Sequence, residues 1–151
     1  MQDLRLIQAL NYNFSIKEIK YLLDQGITTN AVDSIGNSAL HFAVDSSRGD
    51  ASVIDLLIQH NANVLCQNNK GQTPLFLAVI LDYKVIAKLL LISNISTVII
   101  EDNLGRKPSD VAHDQELKKL LIKTEEIVRT LEDNYLYVQE KLEELGLIGE
   151  I

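Results

Sequence analysis

The segment Gly-Asn-Ser-Ala-Leu-His at 36–41 recurs as Gly-Gln-Thr-Pro-Leu-Phe at 71–76. It recurs again, more loosely, as Gly-Arg-Lys-Pro-Ser-Asp at 105–110. From Gly36 to Gly71 is 35 positions, and from Gly71 to Gly105 is 34. A period in the low thirties specifies a row of small supersecondary units. Each unit is too small to bury its own apolar face and must bury it against its neighbour. A chain built this way forms an elongated stack, an architecture that offers surfaces for binding and seldom a catalytic centre.

Within each period the residues read as turn, helix, turn, helix, loop. Ser38 is placed to cap a helix running to about Val44. Val53, Ile54, Leu56, Leu57 and Ile58 then give a second helix over 51–59 a broad apolar side. Asn61 closes that helix in the left-handed conformation that glycine usually takes. In the next unit Thr73 caps, and Pro74 occupies the first helical position, where its missing N–H costs nothing. That helix is predicted to reach Leu81. A second helix covers Tyr83–Leu91, and Asn94 is expected as the cap matching Asn61. The third occurrence is contracted: Lys107 to Ala112, a turn over His113-Asp114-Gln115, then Glu116 to Ile122. Upstream, Leu4, Leu6, Ile7 and Leu10 form a short helix. Ser15 caps another over Ile16–Leu23, closed by Gly26. The expected fold is therefore all-α, a solenoid of about four helix-turn-helix units (1–35, 36–70, 71–104, 105–123) with a helical extension over 124–151.

These residues resemble the ankyrin repeat, whose pattern is Gly-x-Thr-Pro-Leu-His-x-Ala, a Val/Leu-rich second helix, Gly-Ala-Asp, and a loop ending in Asp. Gly36, Ser38, Leu40, His41 and Ala43 match it, followed by Leu56-Leu57-Ile58, Asn61-Ala62-Asn63 and Asn68. Gly71, Thr73, Pro74, Leu75 and Ala78 match it again, followed by Leu89-Leu90-Leu91 and Asp102. Tyr21-Leu22-Leu23, Gly26 and Asp33 supply the second half of an upstream unit. Departures are Ala39 for proline, Phe76 for histidine, a two-residue insertion at Ser47-Arg48, and Asn94–Thr97 in place of Gly-Ala-Asp. The resemblance implies a non-enzymatic protein-binding module or adaptor. Its contacts would come from loop tips and the inner helices. The matching tips are Ser34, Ile35 and Asn37, then Asn69, Lys70 and Gln72, then Asn103, Leu104 and Arg106. Inner-helix candidates are Phe42, Asp45, Ser46, Leu77, Leu81 and Tyr83. Of these, Ile35, Tyr83 and Leu104 place apolar or aromatic surface on protruding positions, as interface anchors do.

Charge and chemistry narrow the function classes. A net charge of −7 opposes a non-specific phosphate-backbone binder, so nucleic acid is not the expected partner. The single cysteine, Cys66, cannot form an intrachain disulfide. His41, His60 and His113 fall in different units without ligand spacing, so no metal, cofactor or catalytic residue is expected. The longest apolar run, Val85–Ile95, is too short and too interrupted to span a bilayer. The N-terminal residues lack the pattern of a secretory signal, and a cytoplasmic location is the expectation. The abundance of Ile, Asn, Lys and Leu adds a further reading, an effector that an intracellular bacterium delivers into its host.

The extension follows a different rule. Leu121, Thr124, Val128, Leu131, Tyr135, Val138, Leu142 and Leu145 are spaced 3-4-3-4-3-4-3, a heptad seam. Two readings stand: a helix that covers the apolar flank of the last repeat, or one that pairs with another chain, a second copy included. In the second reading Val128, Leu131, Tyr135, Val138, Leu142 and Leu145 form the interface. A helical hairpin breaking near Glu132-Asp133-Asn134 is a variant, and Gly146 is the expected helix end.

Overall fold

The computed structural model describes residues 4–46 and 50–144, with side chains through residue 137. The described residues are all-helical. Four helix pairs follow one another along the chain: α1 (Arg5–Asn11) with α2 (Ile16–Asp24), α3 (Ala39–Ser46) with α4 (Ser52–Gln59), α5 (Pro74–Ile80) with α6 (Lys84–Ser93), and α7 (Pro108–Val111) with α8 (Gln115–Glu144). The first helices of the pairs pack as an inner row, α1 on α3 on α5 on α7. The second helices form an outer row, α2 on α4 on α6. The core runs the length of the stack between the rows, and Leu6, Ile19, Leu40, Ile54, Leu57, Leu75, Ile86 and Leu90 are almost entirely withdrawn from solvent.

Local chemistry sets the boundaries. Ser15 and Glu18 form a reciprocal capping box at the start of α2. Thr73 Oγ1 accepts the Phe76 N–H at 3.2 Å, and Pro74 opens α5. Asn61 has φ +62° and closes α4 as the left-handed residue that the sequence demands. Helix ends differ from the sequence reading by one or two residues, as at Ile80 for Leu81 and Lys84 for Tyr83, which is the residue before the helix. The Ser47-Arg48 insertion lies outside the described residues.

Two expectations require correction. Asn94 is not a left-handed cap. Its backbone is extended (φ −160°), and its Oδ1 accepts the Ser96 N–H at 2.9 Å, starting a 3-10 helix over Ile95–Ile99. Thr97 and Val98 of that turn are fully buried between α6 and α8. The departure from Gly-Ala-Asp therefore adds a wedge to the outer row. Nor is there a helical hairpin near Asn134. The chain from 115 to 144 holds no Gly or Pro, and α8 runs unbroken for 30 residues, about 45 Å at 1.5 Å per residue. The line drawn between 123 and 124 falls inside this helix. Leu145 and Gly146 lie outside the described residues.

Candidate functional site

Between successive pairs the chain makes a tight loop, and the three loops share one construction. Asp33 Oδ1 accepts the N–H of Ile35 and of Asn37 at 2.9 and 2.8 Å. Asn68 Oδ1 accepts from Lys70 and Gln72 at 3.0 and 3.1 Å, and Asp102 Oδ1 from Leu104 and Arg106 at 2.9 and 3.0 Å. An Asx side chain thus replaces the backbone partner that each turn lacks. The tips are then laced to one another: the Asn69 N–H donates to the Ile35 carbonyl and the Asn103 N–H to the Lys70 carbonyl, both at 3.0 Å. Asn103 Nδ2 adds a bond to the Asn69 carbonyl at 2.8 Å.

His41 ties a helix to the following loop. Its Nδ1 faces the Ser38 N–H and Oγ at 3.1 and 2.9 Å, and its Nε2 lies 2.8 Å from the Gln72 carbonyl. A carbonyl only accepts, so Nε2 carries the proton and Nδ1 accepts from the Ser38 N–H. Burial pushes the imidazole below its ordinary pKa, against the opposing pull of the Gln72 carbonyl. Cys66 Sγ sits 3.1 Å from Ser38 Oγ at the edge of this cluster, and burial pushes its thiol up, away from reactivity. The matching position in the next unit is Phe76, which cannot make such a brace. There Arg106 lies over the ring, 5.8 Å from its centroid, and grips Asp102 through Nε at 3.0 Å and a terminal nitrogen at 2.6 Å. That grip holds the Asp102 carboxyl below the usual carboxylate range.

The His41 brace has a measurable consequence. As pH falls through about 6.5, the unfolded chain takes up a proton at this residue before the folded chain does. Stability is complete above that value and declines beneath it. The expected slope between pH 6.5 and 5 is at most about 1.4 kcal/mol per pH unit, one proton's worth. The carboxyls held low by hydrogen bonds or ion pairs, including Asp102 and Asp114, titrate at lower pH and stay out of this window. Urea midpoints measured across it should fall for the natural chain and change less for His41→Gln.

These bonds set the walls of a groove of about 340 Å3 on the inner side of the stack. Ile35, Asn37, Asn68, Asn69, Lys70 and Gln72 come from two loops, and His41, Phe42, Asp45 and Leu77 from α3 and α5. The structure thereby brings together Ile35, Asn37, Phe42, Asp45, Asn69, Lys70, Gln72 and Leu77 of the sequence-derived contact residues. It places the other seven, Ser34, Ser46, Leu81, Tyr83, Asn103, Leu104 and Arg106, outside that groove. Leu81 lies just beyond the end of α5 and Tyr83 packs against the core. Arg106 is held by Asp102, and Leu104 stands 75 % exposed at the third tip. His41 and Asn68 line the groove as well. The sequence reading gave them purely structural roles, although His41 precedes Asp45 by four residues and so shares its helix face. Ile35 is 57 % exposed at the rim, while Phe42 and Leu77 are half-buried and form an apolar floor. Lys70 and Asp45 supply one charge of each sign, and neither is consumed by an ion pair among the described residues. Among those residues, no group of His, Cys, Asp and Glu side chains is arranged to hold a metal ion. No helix there is long and apolar enough to cross a membrane.

Residues 6–102 match a family model of three ankyrin repeats. The human neurogenic locus notch homolog protein 1 is 46 % identical over 57 residues, which are 38 % of this chain and 2 % of that protein. The palmitoyltransferase ZDHHC17 of Danio rerio is 42 % identical over 74 residues, 48 % of this chain and 12 % of that protein. The chain thus spans a small fraction of either relative's length. Repeat spacing, paired helices, laced loop tips and the family match converge: the chain belongs to the ankyrin-repeat family, whose repeats mediate protein–protein interaction.

Proposed function

We propose that this chain is a non-enzymatic adaptor module that holds an extended segment of a protein partner in the groove between its first two loops. The observation that carries the reading is the composition of that groove. It has an apolar floor at Phe42 and Leu77, an exposed anchor at Ile35, amide side chains along one wall, and Lys70 and Asp45 as opposite charges. An apolar centre inside a polar rim is what a protein interface needs. His41 supports a binding role over a reacting one, because both ring nitrogens are engaged in holding the loop. The segment that fits carries one apolar side chain for the floor, an acidic residue toward Lys70 and a basic residue toward Asp45. A single cation in the groove of a chain with net charge −7 favours a polypeptide over a nucleic acid. The free thiol of Cys66 suits a reducing compartment such as the cytoplasm.

A random-peptide display selection against the whole chain tests this. Selected peptides are expected to carry the apolar and charged pattern above. They should lose at least about tenfold in affinity, some 1.4 kcal/mol, toward a chain carrying Ile35→Asp and Lys70→Glu. Val85→Asp, on the exposed outer side of α6, should leave affinity unchanged. Peptides that bind the groove variant as tightly as the natural chain would overturn the assignment.

A further inference from the structure

Helices α4 and α6 hold the same place in successive repeats, yet their exposed faces differ in kind. On α4 the solvent positions are Ser52, Asp55 and Gln59, and the Gln59 amide donates to the Asp55 carboxylate at 2.7 Å. The matching positions of α6 are Val85, Lys88 and Ile92. Val85 is 65 % exposed, and Ile92, at 82 %, is the most exposed large apolar side chain among the described residues. The buried positions keep their character, since Ile54 and Leu57 of α4 are matched by Ala87 and Leu90 of α6. Packing within the stack therefore accounts for the inner side of α6 and leaves its outer side unexplained. Water alone selects polar residues there, as on α4.

The 3-10 helix turns this face into a groove. It stands between α6 and α8 and packs on both. A hollow of about 350 Å3 opens along it, lined by Lys88, Leu91, Ile92, Ile95, Leu120 and Thr124. Thr124 Oγ1 donates to the Leu120 carbonyl at 2.8 Å, so this hydroxyl is engaged within α8. No carboxylate lines the hollow. Lys88 is in no ion pair among the described residues, and neither is Lys123, one turn along α8 from Leu120. Lys84, by contrast, is taken up by Asp114 at 2.7 Å. Glu126 enters only farther along α8, beside Ile127.

We infer that this groove receives an acidic amphipathic helix of a partner protein. Two observations select that occupant. The walls are two helices and a 3-10 turn, with no strand edge on which an extended segment could place its backbone hydrogen bonds. A helix satisfies its own backbone and lays an apolar stripe into such a groove. The charges then set the sign. Lys88 on one side and Lys123 on the other are unmet cations in a chain of net charge −7, and they complement carboxylates flanking that stripe. An anionic bilayer offers the same charge but a flat surface, which meets Ile92 at the rim and does not fill the floor at Leu91 and Leu120. The site lies on the outer row, apart from the inner groove, and does not depend on what that groove binds.

A displayed library of amphipathic helices, with leucines on one face and randomised charges beside them, tests the assignment against the whole chain. The recovered helices are expected to be enriched in Glu and Asp at the flanking positions. Ile92→Asp and Lys88→Glu should each weaken them at least about tenfold. Both side chains are exposed, so the helix content of either variant should match that of the natural chain. Ile35→Asp, in the inner groove, should leave their affinity unchanged. Helices recovered without an acidic preference, or bound as tightly by Ile92→Asp as by the natural chain, would overturn the proposal. So would phosphatidylserine vesicles that capture the natural chain and lose it on Ile92→Asp, which would make the surface a membrane contact. A concentration-dependent dimer abolished by the same substitution would overturn it as well, in favour of a contact between copies.

Discussion

Gly71→Ala should lower the stability of the chain by about 2–5 kcal/mol, whereas Gly105→Ala should cost about 1–2 kcal/mol. Both glycines adopt the left-handed backbone, with φ +74° and +71°, so both substitutions carry the same intrinsic strain. They differ in what a new Cβ meets. At Gly71 it would lie 2.7 Å from the backbone nitrogen of Asn103 and 2.5 Å from its side-chain oxygen. The same Asn103 N–H donates to the Lys70 carbonyl, so making room would break the lacing between the second and third loops. At Gly105 the nearest atom is Glu101 Oε2 at 3.9 Å, because no further loop packs there. Urea denaturation midpoints of the two variants, at unchanged slope, measure the difference. Equal losses would show that the loops do not support one another.

Leu121→Ala should cost about 2–5 kcal/mol, while Leu131→Ala, ten residues along the same helix, should change the stability of the chain by less than about 0.5 kcal/mol. Leu121 is fully buried where α8 closes the end of the stack, and truncation there leaves a cavity. Ion pairs hold the same region. Glu125, itself buried, lies 3.6 Å from Lys107 and 3.9 Å from Arg129, and Lys84 reaches Asp114 at 2.7 Å. Leu131, by contrast, is 54 % exposed. Thermal or urea unfolding of the two variants separates the two effects. A large loss at Leu131 would mean that the distal half of α8 folds back on its own repeats.

The two alternatives raised for the extension are thus not exclusive within one helix. Through Val128 the seam covers the last repeat, and the next two positions, Leu131 and Tyr135, are exposed. A heptad pattern alone cannot mark that change, since the same leucine spacing serves a helix packed on a repeat and one packed on another chain. Asn134 misleads for a related reason. Asparagine is a weak helix former, yet with no Gly or Pro between 115 and 144 its local preference is too small to break a helix anchored so firmly at one end.

The period of the repeats, the glycines that need a left-handed backbone, the Asx residues that close their own turns, and the caps at Ser15, Thr73 and Asn61 are written in the sequence. Each depends on residues within a few positions of one another, and the period multiplies the signal. What only the tertiary structure decided involves residues some 30 positions apart or a competition between surfaces. His41 reaches the carbonyl of Gln72, and Arg106 covers Phe76 where that brace is missing. The segment after Asn94 became a 3-10 wedge because Thr97 and Val98 found burial between two outer helices. The groove gathered eight of the expected contact residues and left Leu104 and Arg106 outside it, because the pitch of the stack fixes which loop tips face the same inner helices.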